Sequence, residues 1–380
     1  MLFNKLPDDC LLMIFDYFDS LEELIQLSKV CSRWADLISL RLSKVEYLLS
    51  GGNRSDDPSK TLMINDDFPM NNNLNLTEYI PNFKIFQFEN NSKQWNFEAF
   101  KKLITENPRI KGLIAPPLDP ESKDLTIFDN IEMIASDVDF PFTEMPSPNR
   151  VTQFHITKTS IEFLIFFVPF TNLKRIHVET ECLEEDFFPL FFGLHKNLSN
   201  LLILEFSTSS WEETHGAGYN VIDFCPALES LFLQLSTTPF RFEESKKNYN
   251  LRDLVVESPI IQDWTSLRSL LSKFPKLNHL AIRIRYEINH DNIEELVSLL
   301  PEIKLLDFRG YRNFTKKSAD YLSAYSSKLG RSIVVYYNCE QEPSDWPKLG
   351  HRDERICFGF DFMKNCFFKY FDQLPYFLDH

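Results

Sequence analysis

The residues predict an α/β chain: three short helices at the N-terminus, then an irregular solenoid of parallel strands whose helices return on the outer face. Three observations carry this. Between Leu6 and Ile38 apolar residues recur at helical spacing, separated by turn and capping signals. From about Phe83 onward a short phrase recurs instead: an apolar residue, two variable ones, an apolar residue, one variable, an apolar residue. Finally, 380 residues that are 43% apolar and 25% charged supply a sizeable core for an ordinary soluble globular chain.

The first helix is expected from Pro7 to Phe18. A proline costs nothing in a first turn, and Asp8 and Asp9 favour the positive end of the helix dipole. Leu11, Ile14, Phe15 and Phe18 make one stripe, while Cys10, Leu12, Met13 and Tyr17 leave the remainder largely apolar, so this helix wants cover on two sides. Ser20 with Glu23 three residues later reads as a capping box opening a second helix through Leu21, Leu24, Ile25 and Leu27 to about Val30. A third carries Trp34, Leu37 and Ile38, then Leu42, Val45 and Leu49. Three helices of this size cannot bury so much apolar surface among themselves. They either dock on a partner or begin a larger core.

The turn-rich stretch from Ser50 to Pro58 and the polar stretch from Asn65 to Asn73 set off this module. The expected boundaries are 1–49 for the helical module, 50–75 for a linker, 76–339 for the solenoid and 340–380 for a tail. The repeated phrase reads Phe83-Phe86-Phe88, Ile110-Leu113-Ala115, Val151-Phe154-Ile156, Leu173-Ile176-Val178, Leu198-Leu201-Ile203, Leu228-Leu231-Leu233, Leu251-Leu254-Val256, Leu277-Leu280-Ile282 and Ile303-Leu306-Phe308, with Ile131-Ile134 a weaker copy. Leading positions 228, 251, 277 and 303 lie 23, 26 and 26 residues apart, and Leu329 continues the period into Ile333, Val334 and Val335. Each phrase is one short strand with its first, fourth and sixth residues in the core; Thr265–Phe274 and Glu294–Leu300 read as returning helices. In the tail, nine aromatics between Phe358 and Leu378 suggest a cap over the open end of the solenoid, or a contribution to a ligand surface.

Two resemblances follow. Leu6-Pro7, Ile14-Phe15, Leu24, Leu27, Val30-Cys31 and Trp34 closely resemble the F-box, the module by which substrate adaptors dock on the Skp subunit of Skp-cullin-F-box ubiquitin ligases. The repeats, with lead-ins such as CPALESL, FPKLNHL and LPEIKLL, resemble leucine-rich repeats. Together they imply an F-box followed by an irregular leucine-rich-repeat solenoid, acting as a non-catalytic substrate-recognition subunit. The implied partners are a Skp subunit, a cullin reached through it, and a protein substrate. The implied Skp-binding residues are Leu6, Pro7, Leu11, Ile14, Phe15, Leu24, Leu27, Val30, Cys31 and Trp34. An alternative is a Skp-bound or free scaffold without ubiquitylation output.

Strand alternation sends the residues between core positions to the concave face. The slot after the third core position holds Glu179, Leu204, Gln234, Glu257, Arg283, Arg309 and Tyr336; the slot before it holds His177, Leu202, Phe232, Val255, Ala281, Asp307 and Val334. The candidate substrate surface is Glu179, Phe232, Gln234, Glu257, Arg283, Arg309 and Tyr336. Arg283 and Arg309 on adjacent strands point to an acidic or phosphorylated docking element, with a double charge swap leaving stability nearly unchanged.

A net charge of -15 disfavours nucleic acid as a partner. Seven cysteines without Cys-x-x-Cys spacing suggest neither a disulfide framework nor a zinc ribbon, and fit a reduced cytoplasmic or nuclear setting. His351, Cys357 and Cys366 are close in sequence but wrongly spaced for a metal. MLFNKLPDD is not a secretory signal, and Ile161–Phe170 is about half a bilayer span, so no membrane role is expected. Phosphate loops and hydrolase elbows are absent, Gly216-Ala217-Gly218 reads as a loop, and Cys182 and Cys225 read as core; no cofactor or enzymatic activity is expected.

Overall fold

In a computed structural model the chain is described at residues 5–50, 57–64, 76–88, 97–116, 126–136, 145–159, 170–180, 198–208, 222–235, 246–258, 264–284, 288, 290–310, 314–350 and 354–379. Cys182, His351, the Gly216–Gly218 loop and 161–169 of the apolar stretch lie outside them.

Pro7 leads into α1, Asp8–Asp16. The Ser20 hydroxyl accepts the Glu23 N–H at 3.3 Å and caps α2, Leu21–Ser28. α3 spans Ser32–Leu42, and its Arg33 guanidinium donates to the Leu6 carbonyl at 2.6 Å, tying the third helix to the start of the first. The sequence predicts α3 continuing through Val45 to Leu49; it stops at Leu42 because Tyr47–Ser50 is a strand, β1, bonded on both edges. Its partners are β2, Thr61–Ile64, and β3, Ile85–Gln87, so the sheet begins inside the expected helical module and includes part of the expected linker.

Ten further strands extend the sheet in chain order: β4 Gly112–Ile114, β5 Met133–Ser136, β6 Gln153–Thr159, β7 Arg175–Thr180, β8 Ile203–Thr208, β9 Ser230–Leu235, β10 Asp253–Ser258, β11 His279–Ile284, β12 Leu305–Asp307 and β13 Val334–Tyr336. Every pairing is parallel. Between strands lie α4 Leu76–Tyr79, α5 Phe97–Glu106, α6 Trp264–Ser272, α7 His290–Leu299 and α8 Lys316–Lys328. This is an α/β solenoid, and its inward residues form one continuous apolar cluster from Leu11 and Phe15 to Ala319 and Leu322. The three N-terminal helices share the solenoid's core through Phe15, Leu24 and Leu42, and the Met63 N–H bonds the Asp19 carbonyl at 2.6 Å.

The ladder corrects the repeat frame at two strands. Ile176, Leu204 and Leu231 are in register, so the unit at β8 reads Leu201-Leu204-Phe206 rather than Leu198-Leu201-Ile203. Leu204 therefore points into the main core, and Ile203 and Glu205 take the concave side. At β13, Tyr336 aligns with Asp307 and not with Arg309.

The tail is not an end cap. It contains β14, Ile356–Phe358, paired in parallel with β15, Phe377–Asp379, and the short helix α9, Phe362–Asn365. It runs back along the concave face toward the N-terminus. Arg309 donates to the Pro347 carbonyl; Arg283 to those of Phe367 at 2.9 Å and Lys369 at 2.6 Å; Arg175 to those of Pro375 at 2.6 Å and Tyr376 at 2.9 Å. Gln153 bonds the Leu378 N–H and carbonyl, and the Tyr47 hydroxyl meets the Asp379 carboxylate at 2.5 Å. The reason is visible in the concave rows. Phe232, Val255 and Ala281 in the middle, and Tyr47, Leu49, Ile85, Met133 and Ala135 near the start, are apolar, and uncovered they would form a large exposed patch. Phe367, Phe371, Leu374 and Phe377 cover them. Gly350, at φ +70°, starts the return: a Cβ there would stand 3.0 Å from the Tyr370 ring.

Candidate functional site

Two surfaces hold the residues singled out by sequence. On the helical module, Pro7 and Val30 are exposed; Leu6, Ile14, Leu27, Cys31 and Trp34 are half-buried. Leu11, Phe15 and Leu24 are at most 1% exposed and belong to the chain's own core, a correction to their assignment as contacts. They support the surface from beneath: the Trp34 ring packs edge-on against Phe15 at 5.4 Å. The Trp34 indole N–H is buried and meets no acceptor among the described residues. Four of the ten large apolar side chains left exposed among the described residues, Met13, Tyr17, Val30 and Leu40, lie in this N-terminal module. Met13 and Tyr17 also line a cleft of about 330 Å³ with Asp16, Asp19, Pro58, Thr61 and Met63.

On the concave face the register builds two polar rows. His155, His177 and Glu205 lie side by side on β6, β7 and β8; Glu179, Ser207, Gln234, Glu257 and Arg283 follow one step along the strands. Arg283 and Arg309 do not form an open basic pair. Arg283 meets Glu257 at 2.7 Å and Arg309 meets Asp307 at 2.9 Å, both arginines buried beneath the tail. Further N–H groups of both go to tail carbonyls, while the Arg283 Nε–H meets no acceptor among the described residues, so the predicted acidic-element site is filled largely from within the chain. Phe232 is buried under Phe371, with ring centroids 5.5 Å apart, and Tyr336 is half-buried against Trp346 at 4.9 Å. Only Glu179 and Gln234 of the predicted surface face free space.

That space is a cavity of about 320 Å³, floored by His155, Thr157, His177, Glu179 and Gln234 and roofed by the tail segment Phe371–Leu374 with Tyr376, Glu354 and Arg355. Beneath it lies a charge pair missed by the sequence reading: Arg175 and Glu205, 2.7 Å apart and fully buried. The shifted frame at β8 hid Glu205; the phrase Leu201-Leu204-Phe206 would have revealed it. Burial pushes the Glu205 carboxyl up, but Arg175 and the 3.0 Å bond to His177 outweigh burial and hold it below the usual range. His155 and His177 stack at 3.8 Å with rings parallel to 3°. Burial depresses both below the ordinary imidazole value, His155 well below it with help from His177 and Arg175, so both rings are neutral. Glu257 is pushed up by burial despite Arg283.

The described residues hold no cluster of three or more potential metal ligands, and no described helix is long and apolar enough to cross a membrane. No curated protein matches the chain. Residues 3–43, which contain α1, α2 and α3, match the F-box-like family, whose members in general bind a Skp subunit.

Proposed function

We propose that this chain is a substrate-recognition adaptor: α1–α3 dock on a Skp subunit, the solenoid with its returning tail holds a protein, and cullin-bound machinery transfers ubiquitin to that protein. The repeats are read as leucine-rich. The chain contributes no catalytic group; it acts by proximity, raising the effective concentration of target lysines near the charged carrier.

The observation that carries the reading is the F-box-like match over a module that keeps Met13, Tyr17, Val30 and Leu40 exposed and leaves the Trp34 indole N–H unsatisfied. A chain that needed these helices only for its own core would have covered those groups. Trp34→Ala, or Leu6→Ala with Pro7→Ala, is expected to abolish Skp capture, since buried interface anchors typically carry about 2–4 kcal/mol each. Affinity purification with and without proteasome inhibition is the measurement. Recovery of Skp and cullin together supports the ligase, Skp without cullin supports a scaffold, and full Skp capture by both variants overturns the docking assignment.

A further inference from the structure

We propose that the cavity between β6, β7, β9 and the returning tail receives an arginine side chain of the partner polypeptide, which rests on the adaptor reading above.

The charge inside the cavity selects the ligand. Glu179 is half-buried and Asp372 exposed, and neither carboxylate meets a cation among the described residues. Glu354 is engaged by Lys369 at 3.4 Å. The cavity's own cation, Arg355, lies over the Tyr376 ring at 5.5 Å. The nearby guanidinium groups of Arg175 and Arg283 bond Glu205, Glu257 and tail carbonyls, so among the described residues Arg355 alone stands as a lining cation against the two unpaired carboxylates.

The floor supplies the second, independent observation. His155 is 4% exposed and lines the cavity, yet its ring bonds no other described residue; its neighbour His177 is anchored on Glu205. A neutral imidazole nitrogen accepts a hydrogen bond, as do the Thr157 hydroxyl and the Gln234 carbonyl oxygen. Around 320 Å³ of space, then, stand two free carboxylates, further acceptors and the rings of Phe371 and Tyr376. Five donors in a flat, stackable group match this better than the point charge of an ammonium. The size is at the low end for ligand pockets and suits one side chain.

The probe is Nα-acetyl-arginine methylamide, titrated into the full chain with the lysine and glutamate counterparts as controls. The readout is the imidazole carbon resonance of His155, identified by its loss in His155→Phe. The arginine probe is expected to shift it saturably with Kd on the order of millimolar, as befits so small a ligand, the lysine probe more weakly and the glutamate probe not at all. Glu179→Gln with Asp372→Asn is expected to raise Kd about tenfold or more without lowering the unfolding temperature, because neither carboxylate is paired. No saturable shift, equal binding of the glutamate probe, or an unchanged Kd in the double variant would overturn the assignment. The double variant is also scored for Skp capture. Skp capture with no arginine binding sinks the cavity assignment alone, whereas failure of the unmutated chain to capture Skp sinks the adaptor reading while arginine binding stays measurable.

Discussion

Arg283 and Arg309 occupy the concave face, as strand alternation requires, but their setting reverses their meaning. Arg283 is 7% exposed, bonded to Glu257 and two tail carbonyls. Arg283→Glu would set two carboxylates together and leave those carbonyls unmet, so it should cost about 3–5 kcal/mol, the usual penalty for breaking a buried pair. Urea unfolding checks this; a silent variant would mean that the tail does not lie on Arg283. The histidine pair makes a second residue-level prediction. His155 and His177 are depressed below the ordinary 6.5, so below that pH the unfolded chain binds protons that the folded chain refuses. Stability is therefore full above about pH 6.5 and falls as pH drops through that value. Glu205, also depressed, adds loss in the same direction at lower pH, whereas Glu257, raised, opposes it. His155→Phe keeps a ring stacked on His177 and removes one titrating group, so the slope of unfolding free energy between about pH 6.5 and 5 should fall by about one proton.

At the level of elements, what the sequence revealed and what it hid divide by range. Ser20 caps α2 and the L-x-x-L-x-L phrase marks strands because both signals act within a few residues, and β9 to β12 fell into the predicted frame. The end of α3 was hidden because Tyr47–Ser50 becomes a strand only when β2 and β3 flank it. The tail's course was hidden for a stronger reason. Its main polar ties run from side chains to backbone carbonyls, which no residue type advertises, and one of its side-chain ties, Tyr47 to Asp379, spans 332 residues. Nine aromatics announced that the tail buries something, not where. Phe371 is the element's central anchor, stacked 4.6 Å from His177 and against Phe232. Phe371→Ala should cost about 3–5 kcal/mol, the usual range for deleting a buried ring. Hydrogen exchange should then rise together across 354–379 while α6 and α7, on the outer face, keep their protection; an increase confined to the residues beside Phe371 would show that the tail is not one unit.

For the whole molecule, a solenoid is held together chiefly by neighbour-to-neighbour contacts, so its terminal strands are the first to open. Here the last residues of the chain reach the first strands of the sheet: Phe377 packs in the cluster that contains Tyr47, Leu49 and Ile85, and Asp379 meets Lys84 at 2.7 Å. The ties from Arg309 through Arg283 and Arg175 to Tyr47 link β12 to β1 by a path that skips the intervening ladder. Such a strap makes distant repeats stand or fall together, and it places the three N-terminal helices, which share the main core, under the same constraint. Deleting 377–380 removes β15 and the Phe377 ring but leaves the Arg283 and Arg309 ties in place. The N-terminal end, β1 to β4 with α1–α3, should then exchange amide hydrogens ahead of β8 to β11, and denaturant unfolding should separate into two transitions where the intact chain shows one. Exchange that rises evenly along the sheet, or a truncated chain that still unfolds in one step at an unchanged midpoint, would mean that neighbour contacts alone couple the two ends.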